Sequence, residues 1–136
     1  MAVYPYYKVP AKPKPVYKPW ILARLGYKKT HKVTASFPSL IDSGADSCFC
    51  SEDVAIWLGV EFLKKDKFFE FTAANGTKFK TRKKILTLYV AGKNYDCDFY
   101  ISSELPRQTP IILGQYGFFD KFQITFNQQE EFIEVV

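Results

Sequence analysis

The chain has 136 residues, 47% of them apolar and 18% aromatic, and a formal net charge of +5. That length suits one domain with one core rather than two, and no apolar run approaches the roughly 18 residues of a membrane span. The start, "MAVYPYYKVPAKPKP", lacks the unbroken apolar core of a secretory signal, so a soluble, cytoplasmic protein with no membrane partner is expected.

Residues 1–19 hold five prolines among tyrosine, valine and lysine. Proline fixes φ and removes backbone donors, which predicts an extended, polyproline-like arm, either free or packed across the domain. The domain itself is expected over residues 20–136. "WILARL" and "KVTASF" flank the polar turn "GYKKTHK" as a hairpin, and "PSLI" is a short apolar strand that ends at Asp42. In "SEDVAIWLGV", Ser51 reads as an N-cap, Glu52 and Asp53 as the acidic first turn and Gly59 as the stop. Val54, Ile56, Trp57 and Leu58 are the expected apolar surface of that short helix.

Farther on, "FFEFTAANGTKFKTRKKILTLYV" reads as a long hairpin turning at Ala74-Asn75-Gly76, because Asn-Gly favours a tight β-turn. "ILTLYV" and "YDCDFYI" flank "AGKN" as a second hairpin. "TPIILGQYGFFDKF" gives an apolar strand, a glycine break and one helical turn, and "QITF" with "FIEVV" closes the chain as a last hairpin. The fold class expected is mostly β, an antiparallel barrel-like or sandwich domain with one or two short helices.

Cys48, Cys50 and Cys97 are odd in number and lack zinc-type spacing. Cys48 and Cys50 read as small buried thiols on one face of a strand. His31, the only histidine, lies in a lysine-rich turn and offers no metal site and no Ser-His triad. Neither a metal nor a cofactor is expected. Lysines 8, 12, 14 and 18, and the cluster Lys78, Lys80, Arg82, Lys83 and Lys84, could attract nucleic acid. Solvated strand faces and a soluble tail explain them better, so nucleic acid is not an expected partner. Asn75-Gly-Thr fits a glycosylation acceptor, but the turn already accounts for it.

The chemistry lies in "SLIDSGADSC", residues 39–48. Apolar Leu40 and Ile41 run straight into a carboxylate, which a surface turn does not require. The strand fixes the backbone, Gly44 permits a tight turn and Ser43 offers a hydroxyl, so Asp42 is expected to be held rigidly at a cleft edge. One carboxylate alone does little. Two brought together share a proton, the ionised one drawing a proton from water while the neutral one hydrogen-bonds a substrate carbonyl.

"LIDSGAD" resembles the active-site loop of the retropepsins, the retroviral-type aspartic proteases. "IILG", Ile111 to Gly114, resembles their second signature, and "FTAANGTKF" takes the place of their flap. The likeness runs from about Trp20 to Val136 and leaves out the arm. It implies an aspartic endopeptidase of a cellular or bacterial branch, with Asp42 catalytic and Ser43 and Gly44 supporting its loop. Ala45 and Asp46 would touch substrate, Ala73, Ala74, Asn75 and Gly76 would form the flap tip, and Ile111 and Ile112 would wall an apolar pocket. Where many viral members have arginine after the second glycine, this chain has Gln115, which leaves Asp46 without its expected ion-pair partner.

Only one Asp-Ser-Gly is present, so a complete acid pair requires a homodimer acting on a peptide or protein substrate. Two other readings use the same residues. One is a catalytically silent retropepsin-like dimer that binds peptides or serves as an interaction module. The other is a small basic β-barrel that binds nucleic acid.

Overall fold

In a computed structural model that describes all 136 residues, the proline-rich arm is folded against the rest of the chain. It carries three short strands, β1 (Ala2–Pro5), β2 (Tyr7–Val9) and β3 (Val16–Lys18). β2 and β3 pair as an exposed hairpin, with the Tyr7 ring 4.9 Å from that of Trp20.

The next strands follow the alternation of the sequence. In β4 (Trp20–Tyr27), Ile21, Ala23 and Leu25 are buried while Leu22 and Arg24 face out, the period-2 pattern of a strand with one wet side. The polar turn leads to β5 (Lys32–Val33) and then β6 (Phe37–Ile41), both antiparallel to β4. After the Asp42 loop come β7 (Cys48–Ser51) and α1 (Glu52–Trp57). The Ser51 hydroxyl caps α1 by accepting from the Val54 N–H.

α1 departs from expectation. Its buried contacts come from Ala55 and Leu58, whereas Ile56 and Trp57 are 57% and 55% exposed. A six-residue helix turns only positions three apart toward β7, so it buries a narrower stripe than its composition implies.

β8 (Phe68–Thr72), β9 (Lys78–Val90) and β10 (Lys93–Ser102) form two successive hairpins. Ala91 and Gly92 at the second turn both have positive φ, 53° and 73°, as a tight turn matched to strand twist requires. β11 (Ile111–Leu113) pairs parallel with β6 and antiparallel with β7, and β7 pairs parallel with β10. β9 then returns to β4, Leu25 opposite Leu88, which closes β4-β6-β11-β7-β10-β9 into a six-stranded barrel. β5 and β8 extend from its rim. Inside lie Leu25, Cys48, Leu86, Leu88, Phe99, Ile111, Leu113 and Phe118, all at most 1% exposed.

"GFFDKF" forms turns rather than a helix and adds Phe118 and Phe122 to the barrel core. β12 (Ile124–Asn127) and β13 (Phe132–Val135) follow as a hairpin. β1 adds to the other edge of β13, Ala2 opposite Val135, so the two ends of the chain share one sheet. The Tyr4 hydroxyl accepts the Ala91 N–H at 2.9 Å and ties that sheet to the β9–β10 turn.

Candidate active site

Asp42 leaves the end of β6 with its backbone pinned. Ile41 donates to the Pro19 carbonyl and Asp42 to the Leu113 carbonyl, both at 3.0 Å. The loop then folds on itself: Oδ1 of half-buried Asp42 accepts the Gly44 N–H at 2.9 Å, and the Ala45 N–H donates to the Asp42 carbonyl at 3.2 Å. A side chain on Gly44 would begin 3.2 Å from the same carboxylate oxygen, so the corner is tight.

The segment after β11 braces this loop from beneath. At Gly114 an added methyl would lie 2.6 Å from the Ala45 carbonyl oxygen and closer still to that of Ser47. Only glycine lets the two backbones approach so closely, which is the physical content of the apolar-apolar-glycine pattern. That approach lets Gln115 N–H donate to Ala45 at 2.8 Å and Tyr116 N–H donate to Asp46 at 2.9 Å. The Gln115 carboxamide donates to the Ser43 carbonyl. A neutral side chain thus grips the loop backbone, and Asp46 takes part in none of the chain's ion pairs.

Opposite the loop stands the β8–β9 hairpin. Its tip is closed by Ala73 N–H to Thr77 carbonyl at 2.8 Å and by the Asn75 side chain, which accepts the Thr77 N–H at 2.9 Å. Such self-capping is what asparagine contributes to turns. Between hairpin and loop lies an open cleft of about 850 Å³. Asp42, Gly44, Ala45 and Asp46 line one side, Ala73, Ala74 and Asn75 the other, and Ile112 a wall.

Two of the residues expected to line it, Gly76 and Ile111, do not. Ser43, expected to support the loop, is exposed and contributes its carbonyl to the brace, and Gly76 is exposed at the hairpin tip. Ile111 is a correction: it is wholly buried in the barrel. Successive side chains of a strand point to opposite faces, so of two adjacent isoleucines only one can face the cleft.

Further lining residues escaped the reading of the sequence. Phe49, Phe71 and Phe79 form an aromatic wall, with the Phe49 ring 4.9 Å from Phe71. The signal existed: with Cys48 and Cys50 on one face of β7, Phe49 must take the other. Glu104, Leu105 and Pro106, from the loop after β10, close one end and carried no such pattern.

Electrostatically, three of the five basic residues on β9 have an acidic partner. Lys78 pairs with Glu70, Arg82 with Glu52 and Lys84 with Asp66. The Leu63 N–H, followed by Lys84, holds the Asp66 carboxyl below its usual range. No His, Cys, Asp or Glu cluster of three or more forms a metal cage, and no helix is long and apolar enough to cross a membrane.

No family model and no curated protein matches the sequence. Solved structures do match the fold. A retropepsin-like aspartic protease from Rickettsia conorii superposes with a TM-score of 0.60 at 14% identity, over 100% of this chain and 99% of that one. EIAV protease complexed with the inhibitor HBY-793 superposes at 0.53 and 16% identity, over 71% of this chain and 81% of that one.

The fold is retropepsin-like.

Identities this low establish architecture alone. Within the retropepsin-like barrel, the Asp42 corner and the β8–β9 hairpin face one another across the cleft just described.

Proposed function

We propose that this chain is an aspartic endopeptidase of the retropepsin type, active as a homodimer with one Asp42 from each subunit at the two-fold axis. Two carboxylates brought that close share a proton. The ionised one takes a proton from water as the water attacks the scissile carbonyl, while the neutral one donates a hydrogen bond to that carbonyl oxygen. The oxyanion that develops is thereby neutralised, and the proton gained from water then serves the leaving amine. Ser43 and Gly44 support the loop, with the Ser43 hydroxyl free to brace the partner subunit. Ala45 and Asp46 bind the peptide backbone, and residues 73–76 act as a flap. Phe49, Phe71, Phe79 and Ile112 favour an extended peptide with apolar side chains beside the scissile bond.

The observation that carries this reading is the position of Asp42, half-buried and rigidly held on one side of a cleft that the β8–β9 hairpin overhangs. The decisive experiment digests a peptide library with wild type and Asp42→Asn. The variant is expected to keep the wild-type circular dichroism spectrum and lose turnover by about 10²–10⁴-fold. Turnover retained by a pure, folded Asp42→Asn protein would overturn the proposal. Peptide binding without any turnover by wild type would assign the silent dimeric module instead.

A further inference from the structure

Directly beneath the Asp42 loop lie two thiols that this mechanism does not use. Cys48 opens β7, and Cys97 lies on β10, two residues before Phe99, the residue opposite Cys48. Both point into the barrel, and Cys48 is fully buried while Cys97 is half-buried. They share a common neighbour: a methyl placed on Gly117 would sit 3.0 Å from the Cys48 sulfur and 3.4 Å from that of Cys97. The third thiol, Cys50, lies a residue pair farther along β7, and burial pushes it up to about 12, so it is inert.

Cys48 is also wired into the loop brace. Its sulfur accepts the Gly114 N–H at 3.5 Å, and its S–H faces the Tyr116 carbonyl at 3.4 Å. Residues 115 and 116 are the ones whose N–H groups hold Ala45 and Asp46. The state of one sulfur therefore bears on the backbone that positions Asp42.

We propose that Cys48 and Cys97 form a redox pair, which peroxide closes into an intrachain disulfide that draws Cys48 away from Gly114 and Tyr116 and loosens the brace. The Cys97 thiol, and then the Gly114 N–H, pull Cys48 below the ordinary thiol range against its burial, while Cys97 is raised. Cys48 is accordingly the nucleophile, and because it is itself fully buried, peroxide must reach it past half-buried Cys97. It attacks one peroxide oxygen, forming a sulfenic acid and releasing hydroxide, which takes the proton of Cys97. The Cys97 sulfur then displaces hydroxide from Cys48, and a proton from solvent completes the second water. Two thiols are oxidised to one disulfide and one peroxide is reduced to two waters. Diagonal neighbours on adjacent strands lie about 7–8 Å apart, beyond the Cα separation a disulfide spans, so closure must move the backbone of β7 or β10.

The consequence for turnover rests on the protease reading, whereas the bond and the loosened brace do not. The test treats the native wild-type chain with hydrogen peroxide. Of its three free thiols, one should remain titratable after denaturation. A digest should yield a fragment in which fragmentation assigns the bond to Cys48 and Cys97. Amide hydrogen exchange at Gln115 and Tyr116 should rise about three- to tenfold, the loss expected of a weakened hydrogen bond, and dithiothreitol should reverse it. Cys97→Ser should abolish these changes, and Cys50→Ala should preserve them. Should either variant fail to fold, the linked fragment from wild type decides alone. Survival of all three thiols, a bond that involves Cys50 or a second chain, or unchanged exchange at 115 and 116 would overturn the proposal.

Discussion

A methyl group at Gly114 has nowhere to go, because backbone oxygens of Ala45 and Ser47 fill its place. Backbone cannot yield as the end of a flexible side chain can. Gly114→Ala is therefore expected to destabilise the fold by about 3 kcal/mol or more, read as a lower urea midpoint, and to separate the loop from its brace. At this scale the sequence conveyed residue type better than direction. Asp42 was legible because apolar residues leading into an acid demand a reason. Gln115 read as the loss of an arginine, and its grip on the Ser43 carbonyl was hidden because the two lie 72 positions apart. Ile111 and Ile112 look alike on the page, and only the pleat of β11 sorts one into the core and the other into the cleft.

Hairpins were the most legible elements, since Asn75-Gly76 and Ala91-Gly92 announce turns through local backbone preference. α1 was legible in extent but not in orientation, because its buried side depends on where β7 lies. The connection before β8 depends on charge. Asp66 Oδ2 accepts the Leu63 N–H at 2.7 Å and meets Lys84 Nζ at 2.9 Å, which holds the strand-to-strand crossing onto β9. Because the folded state depresses the Asp66 carboxyl, its contribution is fully present above the unfolded value near about 4 and is lost as pH falls through the folded value. Asp96, paired first with Lys28 and then Thr87, acts in the same direction. Urea midpoints should therefore decline on acidification below the ordinary carboxylate range, and Asp66→Asn should flatten part of that decline.

For the molecule as a whole, the barrel was legible as a class, because strand alternation and turn spacing leave few alternatives. The fate of the arm was not. Val3, Pro5 and the lysines signal exposure, and the pairing of Ala2 with Val135 joins residues 133 positions apart that nothing local connects. Pro5 is compatible with it because β1 is an edge strand. If the acid pair forms between two copies of this chain, specific activity must fall on dilution below the dimer's dissociation constant, in parallel with the sedimentation-derived dimer fraction. Specific activity that stays constant while the dimer dissociates would count against a shared site.

Because β1 and β13 lie side by side, the polypeptide is nearly a loop without ends. A few glycines joining Val136 to Met1 would complete the circle, and the exposed Lys64–Lys65 stretch offers a place to reopen it at the expense of the Leu63–Asp66 hydrogen bonds alone. A circular permutant cut there should refold with its barrel intact. It would also carry the former arm in the middle of the gene, where removing β1 could be tested without creating a ragged start.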